Sequence, residues 1–192
     1  MSVHRTGAAA ARFPLGWLVA GLLVASGIVW AVIFFGTLAH LQRLAGGAAP
    51  FDIRPFGYSY REAHAFLASI GEAGRAYYLS PELVLDSFYP LLYTVSCALA
   101  LWWLTMPGRL YAGAPALRWR LTLVAIPIVM ACLDGIENVS IARMIWNWPD
   151  LSPELVQIAS AATRLKLVAS AFTEGAMAVL AAAALVRWVR RG

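Results

Sequence analysis

The chain has 192 residues, of which 61% are hydrophobic and only 13% are charged. Soluble domains carry about 25% charged residues, so this chain has too few polar side chains to cover the surface of a soluble globule. The net charge of +5 does not indicate nucleic-acid binding, because the arginines lie at the ends of apolar segments and no nucleic-acid-binding motif is present. We expect a single membrane domain over residues 1–192.

Four apolar segments are long enough for transmembrane helices, since a hydrocarbon core of about 30 Å needs about 20 residues of helix. They cover residues 15–39, 83–106, 121–146 and 165–186. The first segment is free of charge and longer than the apolar core of a signal peptide, so we expect it to be a retained helix. The sequence therefore predicts an all-α polytopic membrane protein that forms a four-transmembrane-helix bundle.

The long outer loop, residues 41–82, contains a helix signal of its own. Ser59 and Glu62 have the spacing of a capping box, in which a hydroxyl and a carboxylate satisfy the first backbone amides. The residues that follow place one apolar face at Tyr60, Ala63, Leu67 and Ile70. We expect a short amphipathic helix that caps the bundle or lies on the outer membrane surface.

A second helix start is expected at Ser80, Pro81 and Glu82, just before the second span. A hydroxyl cap, a proline at the first helical position and a carboxylate in the first turn are typical of such starts. The same letters recur at residues 152–154. Shared capping requirements explain this repeat better than a duplicated two-helix unit.

Arginine density predicts the orientation in the membrane. Arginines occur without acidic residues in short segments at one side of the predicted bundle: Arg5, Arg12, Arg109, Arg118, Arg120, Arg187, Arg190 and Arg191. We therefore expect both termini to lie in the cytoplasm and the chain to be a multi-pass protein of the inner (plasma) membrane, with the lipid bilayer as its first partner.

Polar side chains fall on one face of each predicted span, at the helical spacing i, i+3, i+4. The third span contributes Asp134, Glu137 and Asn138; the fourth contributes Lys166, Thr173 and Glu174; the second contributes Asp86, Tyr89 and Tyr93; and the first contributes Trp30. If these faces converge, the bundle has a polar interior. A charged residue at the centre of a span costs about 2.5–3.5 kcal/mol when it is inserted, so such residues are usually paired or functional.

These residues suggest an intramembrane acid–base site. Glu137, Glu174 and Asp134 are the candidate catalytic residues, with Glu137 and Glu174 as acid and base, because neighbouring carboxylates in a low dielectric favour a protonated form. Lys166 is expected to lie nearer the outer surface, where Asp86 would pair with it or with Arg164. The candidate ligand-binding residues are Asn138, Tyr93, Trp30, Thr173, Tyr89, Asp86 and Lys166.

No metal and no cofactor is expected, since the histidines at positions 4, 40 and 64 are scattered and no nucleotide-binding motif is present. Three functions stay open. The chain binds or acts on a lipid-like or amphiphilic small molecule; it is a small transporter or proton-coupled membrane subunit; or it is a non-catalytic structural subunit whose polar layer holds helices together. The latter two allow a homo-oligomer or a membrane-complex partner.

Three stretches of the chain together resemble a known pattern: residues 56–75, the run Asp86-Ser87-Phe88-Tyr89-Pro90-Leu91-Leu92-Tyr93, and Asp134-Gly135-Ile136-Glu137-Asn138. The pattern is similar to that of a group of uncharacterised bacterial four-helix membrane proteins, which implies the fold and no activity. The architecture is also similar to that of the sterol-isomerase and sigma-2-receptor superfamily, whose four-helix bundles hold acidic residues around a lipid-like ligand. That likeness implies no residue assignment.

Overall fold

The computed structural model describes residues 14–106 and 116–190, and every regular element in these ranges is helical. The helices are α1 (Leu15–Leu44), α2 (Tyr60–Ser69), α3 (Gly71–Tyr77), α4 (Leu83–Leu104), α5 (Leu117–Trp146) and α6 (Pro153–Val189). Four stretches are long and apolar enough to cross a bilayer: α1, α3 together with α4, α5, and α6. The predicted four-helix, multi-pass architecture is confirmed to that extent.

The helix ends differ from the predicted spans. Helix α6 begins at Pro153 rather than near residue 165, because the Ser152 hydroxyl accepts a hydrogen bond from the Leu155 amide (3.2 Å) and so caps the helix there. Helix α1 continues past residue 39 to Leu44 and contains a wide π-helical turn at Ile33–Leu38. Hydropathy marks the apolar part of each helix, whereas capping fixes where the helix begins.

The bundle is apolar outside and buries polar and charged side chains within its apolar core. Large apolar side chains point outward along the helices, among them Val24, Phe35, Phe88, Val139, Phe172 and Val179. The buried positions at the same levels include Asp86, Asp134, Glu137, Thr163, Lys166 and Thr173. A soluble bundle would instead have a polar outer face. Hydrocarbon as the surrounding solvent explains this distribution, because lipid-facing polar groups would be unsatisfied.

Exposed tryptophans lie near the two ends of the long helices. Trp17, Trp119 and Trp188 are at one end and each exposes more than half of its surface, while Trp146 is 70% exposed at the other. Tryptophan favours the boundary between headgroups and hydrocarbon, since its ring is apolar and its N–H is polar. The helices therefore carry aromatic groups where a bilayer would have its two interfaces.

Helix α2 packs onto the end of the bundle where α1 ends and α4 begins, called here the loop end. Its start is a complete capping box: the Ser59 amide donates to Glu62 Oε2 (2.7 Å) and the Glu62 amide donates to Ser59 Oγ (3.3 Å). The Ser59 hydroxyl also donates to Glu62 Oε2 (2.6 Å), and this bond, with the one from the Ser59 amide, lowers the pKa of the Glu62 carboxyl. The buried Phe66 and Leu67 belong to one core with Met144 of α5, whereas Tyr60 is 42% exposed.

The start of α4 differs from the expected cap. Ser80 has an extended backbone (φ −160°, ψ 115°) inside a wide turn at Tyr78–Glu82, and its side chain forms no capping hydrogen bond. The chain kinks there, and Glu82 is turned inward until it is fully buried. The carboxylate predicted to serve a helix start therefore lies inside the protein.

The long helices pack in the order α1, α4, α5, α6. Helix α1 packs against α4, α4 packs against both α5 and α6, and α5 with α6 forms the most extensive interface. Helix α1 makes no comparable contact with α6. This leaves a seam between α1 and α6 on one side of the bundle.

The loop between α1 and α2 is fixed to α6 at Gly57. Its φ of +74° lies in the left-handed region, and an added Cβ would lie 2.4 Å from Ser160 Oγ, which accepts a hydrogen bond from the Tyr58 amide (2.8 Å). Gly57→Ala should therefore lower the free energy of unfolding by about 2 kcal/mol, from backbone strain plus the clash. Unfolding in mixed detergent micelles measures this change.

Gly46→Ala is the matched control for that experiment. Gly46 has a similar φ of +65°, but an added Cβ meets nothing within 4 Å. We expect a loss of about 1 kcal/mol from backbone strain alone. Equal losses in the two variants would show that close contact with Ser160 does not hold the loop.

Candidate functional site

The site is built around an unusual cation. Lys166 is the only lysine in the chain, which has 14 arginines, and it lies 5% exposed on α6 in the middle of the bundle. A lysine this deep is rare because its ammonium loses its hydration. A charged ammonium is stable at this depth only if polar partners replace its hydration water.

Lys166 has those partners on two neighbouring helices. Its Nζ donates to Asp134 Oδ1 (2.8 Å), forms a short ion pair with Glu137 Oε2, and lies 4.0 Å from Asp86 Oδ2. All three carboxylates are almost fully buried. One ammonium therefore joins α4, α5 and α6.

Neighbouring side chains orient the two carboxylates closest to Lys166. Thr163 donates a short hydrogen bond to Glu137 Oε1, and Asn138 Nδ2 donates to Asp134 Oδ2 (3.1 Å). Asn138 thus positions Asp134, as an orienting residue would. Charge-assisted bonds of this kind fix geometry as well as contributing energy.

The expectation that Lys166 lies nearer the surface than the acidic layer is wrong. Since α6 begins at Pro153, Lys166 is about 20 Å along its helix at 1.5 Å per residue. By the same rise Asp134 is about 18 Å from the end of α5 at Trp146. The two residues are therefore level, and the acidic layer contains a cation.

Two further carboxylates belong to this cluster and were missed in the sequence. Asp52, from the loop after α1, is 5% exposed, and Glu82 is fully buried. The Tyr78 hydroxyl donates a short hydrogen bond to Asp52 Oδ2 and accepts one from the Phe51 amide (3.3 Å). Tyr78 thereby holds the loop carboxylate at the buried site.

Glu82 is less well satisfied than the others. Neither of its oxygens accepts a hydrogen bond from the described residues, and it is not among the three carboxylates that Lys166 bridges. The Thr37 hydroxyl lies beside it but donates to the Ile33 carbonyl oxygen (3.1 Å). A buried carboxyl without such partners is costly, so its presence needs a reason beyond stability.

The charges in this cluster do not balance. Five buried carboxyl groups (Asp52, Glu82, Asp86, Asp134 and Glu137) share this region with one ammonium, which contacts the last three. Fully ionised, they would leave four uncompensated negative charges in a low dielectric, which is energetically prohibitive. The cluster must therefore hold protons or accept a cationic group. This gives it the capacity for proton exchange.

A cavity of about 240 Å³ gives access to the cluster from the α1–α6 seam. Its polar lining consists of Asp52, Asp86, Tyr89, Asp134, Lys166, Ser170 and Glu174, and its apolar lining includes Trp30, Ile33, Phe34 and Met130. Asp86 Oδ2 and Asp52 Oδ1 accept no hydrogen bond from the described residues. The cavity therefore offers buried acceptors to a small polar group.

Some of the predicted site residues line the cavity, and others lie away from it. Asp86, Tyr89, Asp134 and Lys166 line the cavity with Trp30 and Glu174. Tyr93 is buried against Cys97 and Met130, and Thr173 donates to the Ala169 carbonyl of its own helix (2.9 Å), so neither is a wall of the cavity.

Glu137 and Glu174, which were predicted to act together as acid and base, are not adjacent. Glu137 is fully buried against Lys166 and does not line the cavity. Glu174 is exposed and lies about 12 Å from Lys166 along α6, by helical rise. Asp86, Asp134 and Lys166 are the ionisable groups that share the inner cavity wall.

Within residues 14–106 and 116–190, no group of three or more His, Cys, Asp or Glu side chains has an arrangement that could hold a metal ion. Comparison with known proteins adds no function. No protein-family model, no curated protein and no solved structure matches the chain. The chemistry of the cluster and its cavity is therefore what indicates a function.

Proposed function

We propose that this chain is a multi-pass membrane protein whose buried carboxylate–lysine cluster binds the polar head of a lipid-like small molecule and exchanges protons with it. The observation that carries the proposal is the cavity of about 240 Å³ that meets Asp86, Asp134 and Lys166 inside an apolar bundle. Intramembrane ionisable groups facing a cavity are usually functional. The arginine-rich side, with both termini, would be cytoplasmic in the inner membrane.

The geometry suggests how proton exchange would work. Lys166 is held by Asp134 and Glu137, whereas Asp86 Oδ2 is 4.0 Å from the ammonium and accepts no hydrogen bond from the described residues. Asp86 is thus the inner-wall carboxyl freest to take a proton from a bound ligand or give one to it. Asp134 and Lys166 would stabilise the charge that this transfer leaves.

Asp86→Asn should abolish ligand retention while the fold persists. The change keeps the shape of the side chain but removes the acid, and it does not break the shorter ion pairs of Lys166 with Asp134 and Glu137. Native mass spectrometry of the gently purified protein measures a retained small molecule directly. We expect at least a tenfold loss of the bound mass, since removing one partner of a buried charged contact costs about 2–5 kcal/mol.

Asp150→Asn is the control, because Asp150 is exposed in the connection between α5 and α6. It should retain the ligand as the wild type does. A wild-type protein with no discrete bound mass, or an Asp86→Asn variant that keeps the ligand fully, would contradict the proposal.

A second candidate is a proton-coupled transporter. Buried carboxyls continue from Glu82 and Asp52 at the loop end through Asp86 and Asp134, and Glu174 lies further along α6. Such a series is what a proton relay across part of a membrane uses. Uptake into sealed vesicles that depends on a proton gradient, and that is lost in Asp86→Asn, would favour transport over ligand turnover.

A further inference from the structure

The cavity lies at the seam that the packing leaves between α1 and α6. Trp30 and Phe34 of α1 line one side, and Ala171 and Glu174 of α6 line the other. Trp30 is 45% exposed and Glu174 is exposed as well, so both lie at the mouth. Because the surrounding helix faces are apolar, a ligand would enter from the hydrocarbon of the bilayer rather than from water.

The charges that line the cavity favour a positively charged group. Four lining residues are acidic (Asp52, Asp86, Asp134 and Glu174), and Lys166 is the one cation among them. The ammonium of that lysine is already engaged by Asp134 and by Glu137 behind it. Asp86 Oδ2 and Asp52 Oδ1 are nine-tenths buried and accept no hydrogen bond from the described part of the chain.

Aromatic rings add to this preference. Trp30, Phe34 and Tyr89 line the same cavity, and the rings of Trp30 and Phe34 stack with their centroids 5.0 Å apart. The faces of aromatic rings attract cations, most strongly when the cation is desolvated. A combination of carboxylates and aromatic faces is the usual environment for an ammonium group.

An apolar groove adjoins the cavity on the outer side of α6. It has a volume of about 570 Å³ and is lined by Leu123, Val168, Ala171, Phe172, Gly175, Ala176, Val179 and Leu180. Ala171 lines both the groove and the cavity, so a ligand that occupied both would pass this residue. From Val168 to Leu180 the groove extends about 18 Å along the helix, which suits a hydrocarbon chain.

We infer that the ligand is a cationic amphiphile, with an ammonium head held between Asp86, Glu174 and Trp30 and a single apolar tail in the groove between α5 and α6. The inference rests on the proposed function and names its ligand class. A neutral head would leave the negative charge of the buried carboxylates uncompensated, and an anionic head would be repelled.

Three probes of equal chain length test the head-group preference: tetradecylammonium, tetradecanol and tetradecyl sulfate. Binding to the full chain in lipid nanodiscs is measured by competition with a fluorescent alkylammonium. The ammonium probe should bind at least about tenfold more tightly than the other two, and Glu174→Gln should weaken it by about tenfold. The inference is overturned if either of the other probes binds as tightly as the ammonium probe. It is also overturned if Glu174→Gln leaves the affinity for the ammonium probe unchanged.

Ala171→Leu tests the groove, because the added carbons lie where the ligand would pass from the cavity into the groove. It should abolish binding of the long-chain ammonium while a matched Ala178→Leu, exposed on α6 outside the groove, leaves it unchanged. Equal binding in both variants would refute the tail site. Preferential binding of tetradecanol that is lost in Asp86→Asn would refute the cationic head and leave the proposed function standing, whereas no binding of any probe would refute both.

Discussion

Replacing Lys166 by methionine should destabilise the protein more than any other single change at the site. The variant leaves Asp134 and Glu137 buried without the ammonium that Nζ supplies to both. Removal of one partner from a buried ion pair costs about 3–5 kcal/mol. Reversible unfolding in mixed detergent micelles would show this loss as a shift of the midpoint to lower denaturant.

Arg164→Met provides the control, since Arg164 is an exposed cation on the same helix. Its loss should change the unfolding free energy by about 0.5 kcal/mol or less. Adding Glu137→Gln to Lys166→Met should recover part of the lost stability, because it removes one of the uncompensated charges. Wild-type stability in Lys166→Met would mean that the surrounding carboxyls are neutral and do not depend on the lysine.

Glu82→Met should act in the opposite direction and stabilise the protein. The Glu82 carboxyl is fully buried and accepts no hydrogen bond from the described residues. Methionine has a similar volume and no polar atoms, so the change removes a desolvation cost of about 1–3 kcal/mol. The same unfolding measurement should show a gain of about 2 kcal/mol.

Glu72→Met is the matched substitution at an exposed position of the neighbouring helix α3. It should leave the stability within about 0.5 kcal/mol of the wild type. A loss of stability in Glu82→Met would show that the Glu82 carboxyl is bonded to a buried water or to another group. A gain would identify it as a group kept for function at the expense of stability.

The helical parts of the site followed from the sequence. Polar residues spaced three and four apart on the third and fourth apolar segments predicted that Asp134, Glu137 and Lys166 would face the bundle interior if the polar faces converge. They do so, because hydrocarbon outside leaves no other place for them. Their mutual contacts could not be predicted, since hydropathy placed the start of α6 near residue 165 and made Lys166 too shallow.

Asp52 and Glu82 could not be identified from local patterns. Asp52 reaches the cluster from a loop held by contacts distant in sequence, such as the Tyr58 amide with Ser160 Oγ. Glu82 shares the letters Ser-Pro-Glu with residues 152–154, yet Ser152 caps a helix and Ser80 does not. Identical short sequences adopt different structures where tertiary packing decides the backbone, and a capping motif carries no information about that packing.

Chemical labelling of the single lysine can also show when the interior of the bundle becomes accessible. Lys166 is the only side chain with a primary amine, and the closed bundle buries it. An acylating reagent can reach this nitrogen only when the helices separate or the cavity fills with water. The rate at which Lys166 is labelled would therefore measure how often the interior becomes accessible, without any engineered probe, and a ligand that occupies the cavity should slow it.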